Sequence, residues 1–203
     1  MTVKDVFEQT RRRLQEGGIE LPELEADWLV GHFSKLSPIQ RLANPRQPLE
    51  GDILIALEEA ILRRLTGEPL AYILGEKDFY GLTFKVGPGV LIPRPDTKRR
   101  VECALDFCAQ RPQAEIRVLD IGTGSGCIGL TLVKRNERIK LTAIDVSDDA
   151  LKIAREDARR LEVEARVKFI KMDGAFAGDL AEKFDLVVAN PPYIASHDPE
   201  VAK

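Results

Sequence analysis

The chain has 203 residues, 44% of them hydrophobic and 31% charged, with a formal net charge of −3. That length holds one sizeable core or two small ones, and the composition is that of an ordinary soluble globular protein. The near-neutral balance excludes the electrostatic footprint of a protein that coats a long nucleic acid and leaves room only for a local basic patch.

The front of the chain reads as helical. Val3, Val6, Phe7 and Leu14 share one face of a helix over residues 2–16, stopped by Gly17-Gly18. Pro22 in a first turn, followed by Leu24, Trp28 and Leu29, predicts a second helix to about His32. Ser37-Pro38 opens a short third that ends near Asn44-Pro45, and Ile53, Leu54, Leu57, Ile61, Leu62 and Leu65 mark a fourth, closed by Gly67. Residues 1–75 carry nine Lys/Arg against twelve Asp/Glu, so this expected helical domain accounts for the net charge. It suits docking to a protein better than to a polyanion.

Residues 76–95 change character. Aromatic and β-branched residues around Gly81, Gly87 and Gly89 predict a β-hairpin that links the domains. In "PRPDT", Pro93 and Pro95 stiffen the backbone around Arg94, and Asp96 or Thr97 is expected to cap a helix running to about Cys108. Lys98-Arg99-Arg100 then reads as a solvated helix face, although three cations at a helix start oppose its dipole.

Residues 96–203 form the second expected domain, with an α/β pattern from residue 116. Strands over 116–122, 140–147, 166–173 and 184–189 alternate with helices over 127–135 and 148–161, with no clear helix before the last strand. This alternation predicts a Rossmann-like parallel sheet. Cys103, Cys108 and Cys127 form no CxxC pair, and with His32 and His197 as the only histidines no metal site is expected. The odd cysteine count fits a reducing, cytoplasmic setting. The N-terminus is amphipathic and contains acids, unlike a secretory signal, and no apolar run is long enough for a membrane span.

Two constellations carry chemistry. In "LDIGTGSGCIG", Gly122, Gly124 and Gly126 around Thr123 allow a tight turn and a close ligand approach before a helix start. By itself this G-x-G-x-G turn is a weak signal, equally compatible with packing glycines. Asp145 at the end of the second strand can accept ribose hydroxyls, and Asp173 after the third can accept an adenine amino group. Asp120, just before the turn, would repel a pyrophosphate and attract the ammonium of an amino acid, which favours S-adenosylmethionine (SAM) over a dinucleotide.

The second constellation is Asn190-Pro191-Pro192-Tyr193, after the apolar run 184–189. It can be a strand terminator in which Asn caps a turn and Tyr packs on the core. It can also be a clamp for a planar NH₂ group. Asn190 Oδ1 would accept one N–H, the Pro191 carbonyl the other, and Tyr193 would cover the flat face, with the prolines keeping the clamp rigid.

With these motifs in view, "DIGTGSGCI" followed by "NPPYI" resembles the amino-directed SAM methyltransferases. The segment "GEPLAYILGEKDFYGLTFKVGPGVLIPRPDT", residues 67–97, narrows this. It is similar to the linker of the protein-(glutamine) methyltransferases that act on peptide chain release factors. The resemblance implies a helical N-terminal domain, a hairpin linker and a SAM-dependent methyltransferase domain that methylates the side-chain amide of the glutamine in a Gly-Gly-Gln segment. It implies that Asp120, Gly122 and Gly124 line the methionine half of SAM, Asp145 the ribose and Asp173 the adenine. Asn190 and Pro191 would hold the glutamine amide, with Tyr193 lining its pocket, and Phe79, Pro93 and Arg94 would close over the cofactor. Two departures stand out. Lys98 occupies a position usually acidic in the family, and only four of its seven strands are visible, so a C-terminally incomplete sheet and a poorly active 203-residue chain are expected. A monomer is expected, and nucleic acid is not expected as a direct substrate. The alternatives are an amino methyltransferase of adenine or guanine in nucleic acid, and a non-catalytic SAM-fold binding protein.

Overall fold

The structure is a computed structural model that describes residues 1–190. The chain forms two compact units, Met1–Gly75 and Glu76–Lys203.

In the first unit, α1 (Val3–Glu16) starts at a capping box in which Thr2 and Asp5 satisfy each other's backbone N–H groups. It is followed by α2 (Pro22–Ser34), α3 (Pro38–Ala43), α4 (Gly51–Leu65) and α5 (Leu70–Leu74). Val6, Leu14, Leu29, Val30, Leu57 and Ile61 bury the apolar stripes of α1, α2 and α4 against one another. The periodicity missed α5, since five residues hold barely more than one turn of pattern. Ile73 anchors it in the core and Gly75, at φ 72°, ends it.

The second unit opens with the antiparallel hairpin β1 (Glu76–Phe79) and β2 (Leu82–Lys85). Both turn residues have positive φ, Tyr80 at 51° and Gly81 at 72°, as a two-residue turn that matches the strand twist requires. Tyr80 tolerates this conformation with help from α7 (Cys127–Arg135). Arg135 at the end of that helix donates to the Tyr80 carbonyl at 2.7 Å and lies over its ring. The hairpin is part of this unit's core. Phe79 and Phe84 are buried together, ring edge to ring face.

Next come α6 (Thr97–Ala109), β3 (Ile116–Ile121), α7, β4 (Ile139–Asp145), α8 (Asp148–Arg160), β5 (Val167–Lys171) and β6 (Leu186–Ala189). A single 3-10 segment, Gly174–Asp179, with no buried residue, joins β5 to β6. The four strands pair in parallel in the order β5-β4-β3-β6. The chain begins in the middle at β3, runs outward through β4 to β5, and then crosses to the other side of β3. That reversal of direction is the switch point at which open α/β sheets bind ligands. Val118, Leu119, Leu141 and Ala143 of the central strands, and residues 128–133 of α7, are buried, so the sheet reads as apolar runs without alternation.

Two local expectations need correction. Asp96 does occupy the N-cap position of α6, but its backbone is already helical and neither it nor Thr97 makes a side-chain cap. Thr97 is instead buried. Asp173 lies two residues beyond β5, at the cap of the 3-10 segment, instead of closing the strand itself.

Candidate active site

The carboxyl ends of all four parallel strands carry the residues singled out from the sequence. After β3 the chain makes the glycine turn. Gly122, Gly124 and Gly126 have φ of 67°, 56° and 79°. A Cβ on Gly122 or Gly124 would meet no protein atom within 4 Å. Their backbone conformation demands glycine, and the space in front of them is open. Gly126 is different: a Cβ there would stand 2.8 Å from Leu130, so packing as well as φ excludes a side chain.

Asp120 braces this turn from beneath. It is 1% exposed, and its Oδ2 accepts from Thr123 Oγ1 at 2.8 Å and from the Gly129 N–H at 3.2 Å. Gly129 belongs to the first turn of α7, whose N–H groups lack helical partners. Gly126, its N-cap, has no side chain to offer, and Asp120 reaches across from the strand to satisfy one of them. Burial pushes the Asp120 carboxyl up to about 6, with the hydrogen bonds from Thr123 and Gly129 opposing and the charge of Asp145 adding to the rise. Its carboxylate therefore shapes the turn from beneath, with almost no surface of its own.

Asp145 ends β4 and ties the turn to its neighbour strand. Its Oδ2 accepts the Gly124 N–H and its Oδ1 the Ser147 N–H, both at 2.9 Å. A carboxylate has about four lone-pair directions, so each oxygen retains one for a ligand hydroxyl. Asp145 is half-buried and within reach of such a ligand. Asp173 is exposed, with Oδ1 accepting the Ala175 N–H at 2.9 Å and Oδ2 available.

The turn also holds a residue that the sequence reading passed over. Ser125 is 2% exposed, and its Oγ is buried beside the Cys127 thiol with no oxygen or nitrogen partner among the described residues. A thiol is a weak hydrogen-bonding group, so the hydroxyl keeps capacity for a stronger partner. Beside the open face of Gly122 and Gly124 and the start of α7, it suits a polar ligand group. Cys127, next to it, is no nucleophile, because burial drives its thiol up to about 12.

Asn190 follows β6 directly. In the parallel register Ile121 pairs with Ala189, so Gly122 and Asn190 leave adjacent strands side by side. The structure thus brings the glycine turn and the Asn of the expected clamp together. Pro191, Pro192 and Tyr193 lie outside the described residues. Arg100 departs from the solvated face expected of Lys98-Arg99-Arg100. Lys98 and Arg99 are exposed, as expected of a solvated face, but Arg100 is half-buried and donates from Nη1 to the Ala189 carbonyl at 2.8 Å. Helical spacing held the signal, since residues 97, 101, 104 and 108 form the buried stripe of α6 and position 100 lies beside it.

The linker residues differ in their surroundings. Phe79 is 2% exposed inside the core against Phe84, and it anchors the hairpin without presenting a ring to a ligand. The hairpin turn sits by Arg135, at the end of α7 away from the glycine turn. Pro93 is buried and Arg94 exposed, with the Arg94 carbonyl accepting the Thr97 N–H at 3.1 Å. Among the described residues no cluster of His, Cys, Asp and Glu could hold a metal ion.

Comparison with known proteins adds to this geometry. Residues 5–75 match the family described as PrmC N-terminal domain, and residues 104–202 the Methyltransferase small domain. The chain is 40% identical over 194 residues to the release factor glutamine methyltransferase of Koribacter versatilis, covering 96% of this chain and 68% of that protein. It is 39% identical over 204 residues to the enzyme of the same name from Vibrio cholerae, covering 100% of this chain and 69% of that one. Among solved structures, a SAM-dependent methyltransferase from Thiobacillus denitrificans in complex with S-adenosyl-L-homocysteine is 33% identical, with a TM-score of 0.37. The match spans 47% of this chain and 36% of that one, an overlap too partial to carry an argument.

Proposed function

Because this chain belongs to the release factor glutamine methyltransferase family, we propose that it transfers a methyl group from SAM to the side-chain amide nitrogen of the glutamine in the Gly-Gly-Gln segment of peptide chain release factors. The observation that carries this is the β3–β6 register, which sets Asn190, a side chain able to accept an amide N–H, beside an open glycine turn at the switch point of the sheet.

The turn fits SAM by its chemistry. Gly122, Thr123 and Gly124 offer close backbone approach, and Gly126 starts α7 beside them. Ser125 Oγ offers a buried hydroxyl held only by the weak Cys127 thiol. Asp120 supplies negative charge without a bulky surface, which suits an amino acid's ammonium and disfavours a pyrophosphate. In our reading the spare lone pairs of Asp145 take the ribose hydroxyls, and Asp173 faces the adenine amino group. In the same reading Pro93 and Arg94, just ahead of α6, close over the cofactor, and the buried Phe79 anchors the hairpin that precedes them. When bound, SAM supplies a methyl group on a positively charged sulfur.

The protein's part is orientation. Asn190 Oδ1 accepts one N–H of the glutamine amide, and the Pro191 carbonyl is assigned the other. Two acceptors hold the nitrogen with its lone pair toward the incoming carbon and favour its change from planar to pyramidal. With SAM bound, transfer to the nitrogen so held would leave S-adenosyl-L-homocysteine, and the methylated nitrogen would give up one proton to water. Stiffening of the clamp is assigned to Pro192 and the flat face of the amide to Tyr193. None of the described side chains beside Asn190 is required as a base.

A cytoplasmic location goes with this reading. Cys103, Cys108 and Cys127 are all free thiols, as a reducing compartment allows, and among the described residues no helix is long and apolar enough to cross a membrane. The deciding experiment offers the chain radiolabelled SAM with release factor, tRNA, rRNA and DNA in parallel. Label on the release factor, lost when its Gly-Gly-Gln glutamine is replaced, is the expected result. Label on nucleic acid alone overturns the proposal.

A further inference from the structure

We propose that Arg100 is a positioning residue for Asn190, holding the peptide plane from which the amide-accepting side chain emerges. The inference rests on the reading of Asn190 as that acceptor.

The geometry is local and specific. Arg100 stands in the first turn of α6, where a cation opposes the helix dipole and gains nothing from the helix itself. It is half-buried and spends Nη1 on the Ala189 carbonyl at 2.8 Å. Ala189 is the last residue of β6. Its carbonyl oxygen, the following nitrogen and the Asn190 Cα share one rigid plane. A charge-assisted bond at the oxygen stops that plane from rocking about the end of the strand. On the other side, Asn190 precedes a proline, which by sterics confines it to extended backbone. Arg100 thus constrains the peptide before Asn190 and Pro191 constrains Asn190 itself, leaving its Cβ little freedom of direction. Polarising the Ala189 carbonyl also strengthens the Asn190 N–H as a donor. A lysine in place of Arg100 would carry the charge but not the planar fork that fixes direction.

The test compares Arg100→Leu, Arg100→Lys and the exposed neighbour Arg99→Leu with the unaltered chain. The readouts are the backbone amide resonance of Asn190, SAM affinity by titration calorimetry, and kcat and KM for release factor. Arg100→Leu is expected to shift the Asn190 resonance and lower kcat by about tenfold, while SAM affinity stays as it was. Arg100→Lys recovers part of both, and Arg99→Leu changes neither. If Arg100→Leu does not fold, Arg100→Lys decides by the same readouts. A folded Arg100 variant with unmoved resonance and unchanged kcat overturns the inference. Asn190→Ala separates the two ideas. If it transfers methyl groups as well as the unaltered chain, the acceptor role of Asn190 fails, and the resonance then decides alone whether Arg100 holds the strand end.

Discussion

The carboxylate of Asp157, buried on α8, accepts the backbone N–H of Lys85 on β2 at 2.8 Å and the guanidinium of Arg160 at 2.8 Å. One side chain thereby closes the last residue of the hairpin onto the helix that flanks β4 and β5. Asp157→Ala leaves the Lys85 N–H without its acceptor, and a loss of about 1–3 kcal/mol is expected in denaturant unfolding at neutral pH. Asp157→Asn keeps an acceptor for Lys85 and is expected to fall between Asp157→Ala and the unaltered protein.

The same residue sets a pH dependence. Burial raises the Asp157 carboxyl to about 6, against the hydrogen bond from Lys85 and the charge of Arg160. Its unfolded value is near 4, so between the two the folded state binds more protons than the unfolded state. Stability from this group is fully present below about pH 4 and declines as pH rises through about 6. Denaturant melts at intervals across that window should show the unaltered protein losing stability relative to Asp157→Asn as pH rises. A difference that stays constant with pH refutes the assignment.

Gly122 and Gly129 are expected to fail for different reasons. Gly129→Ala forces a Cβ to within 2.7 Å of Leu141 and 2.8 Å of the Asp120 carboxylate, both fixed in the core, and should cost about 1–3 kcal/mol of stability. Gly122→Ala meets nothing within 4 Å but must hold φ near 67°, a strain of about 1–2 kcal/mol. Its Cβ projects into the space left open for a ligand. Thermal melts with and without SAM should show Gly129→Ala lowered in both, and Gly122→Ala losing more of the ligand-induced stabilisation than of the basal value.

Asn190→Ala tests the clamp. It removes one of two acceptors for the glutamine amide and is expected to lower kcat by about 100-fold, with SAM affinity within about twofold of the original. Single-turnover methyl transfer at saturating SAM measures this directly. An unchanged transfer rate removes Asn190 from the mechanism.

In the first unit, Arg64 and Glu25 form a two-bond pair at 2.7 and 3.1 Å with both side chains mostly buried. The Glu25 hydrogen bond raises the already high Arg64 value further. Arg64→Ala leaves Glu25 with an uncompensated charge and is expected to cost about 1–3 kcal/mol. The Glu25→Ala/Arg64→Ala double variant should be less unstable than the sum of the two singles, as a double-mutant cycle of unfolding free energies would read.

The elements with strong local signals were legible from residues alone. The apolar stripe of α1, the Ser37-Pro38 start of α3, the continuous apolar strands β3 and β4 and the hairpin around Gly81 all depend on neighbours within a few positions. The glycine turn, Asp145 and Asn190 stood out as candidate site residues for the same reason: each stands where a strand pattern stops. Tertiary structure alone decided what these residues touch. Strand order is a long-range choice, so only the β5-β4-β3-β6 arrangement could set Asn190 beside Gly122. Burial of Asp120 beneath its own turn, of Phe79 inside the core, and of Ser125 within the glycine turn depends on side chains far away in sequence. Arg100 shows the difference most clearly. Its charge assigned it to solvent, and a carbonyl 89 positions further along the chain drew it in.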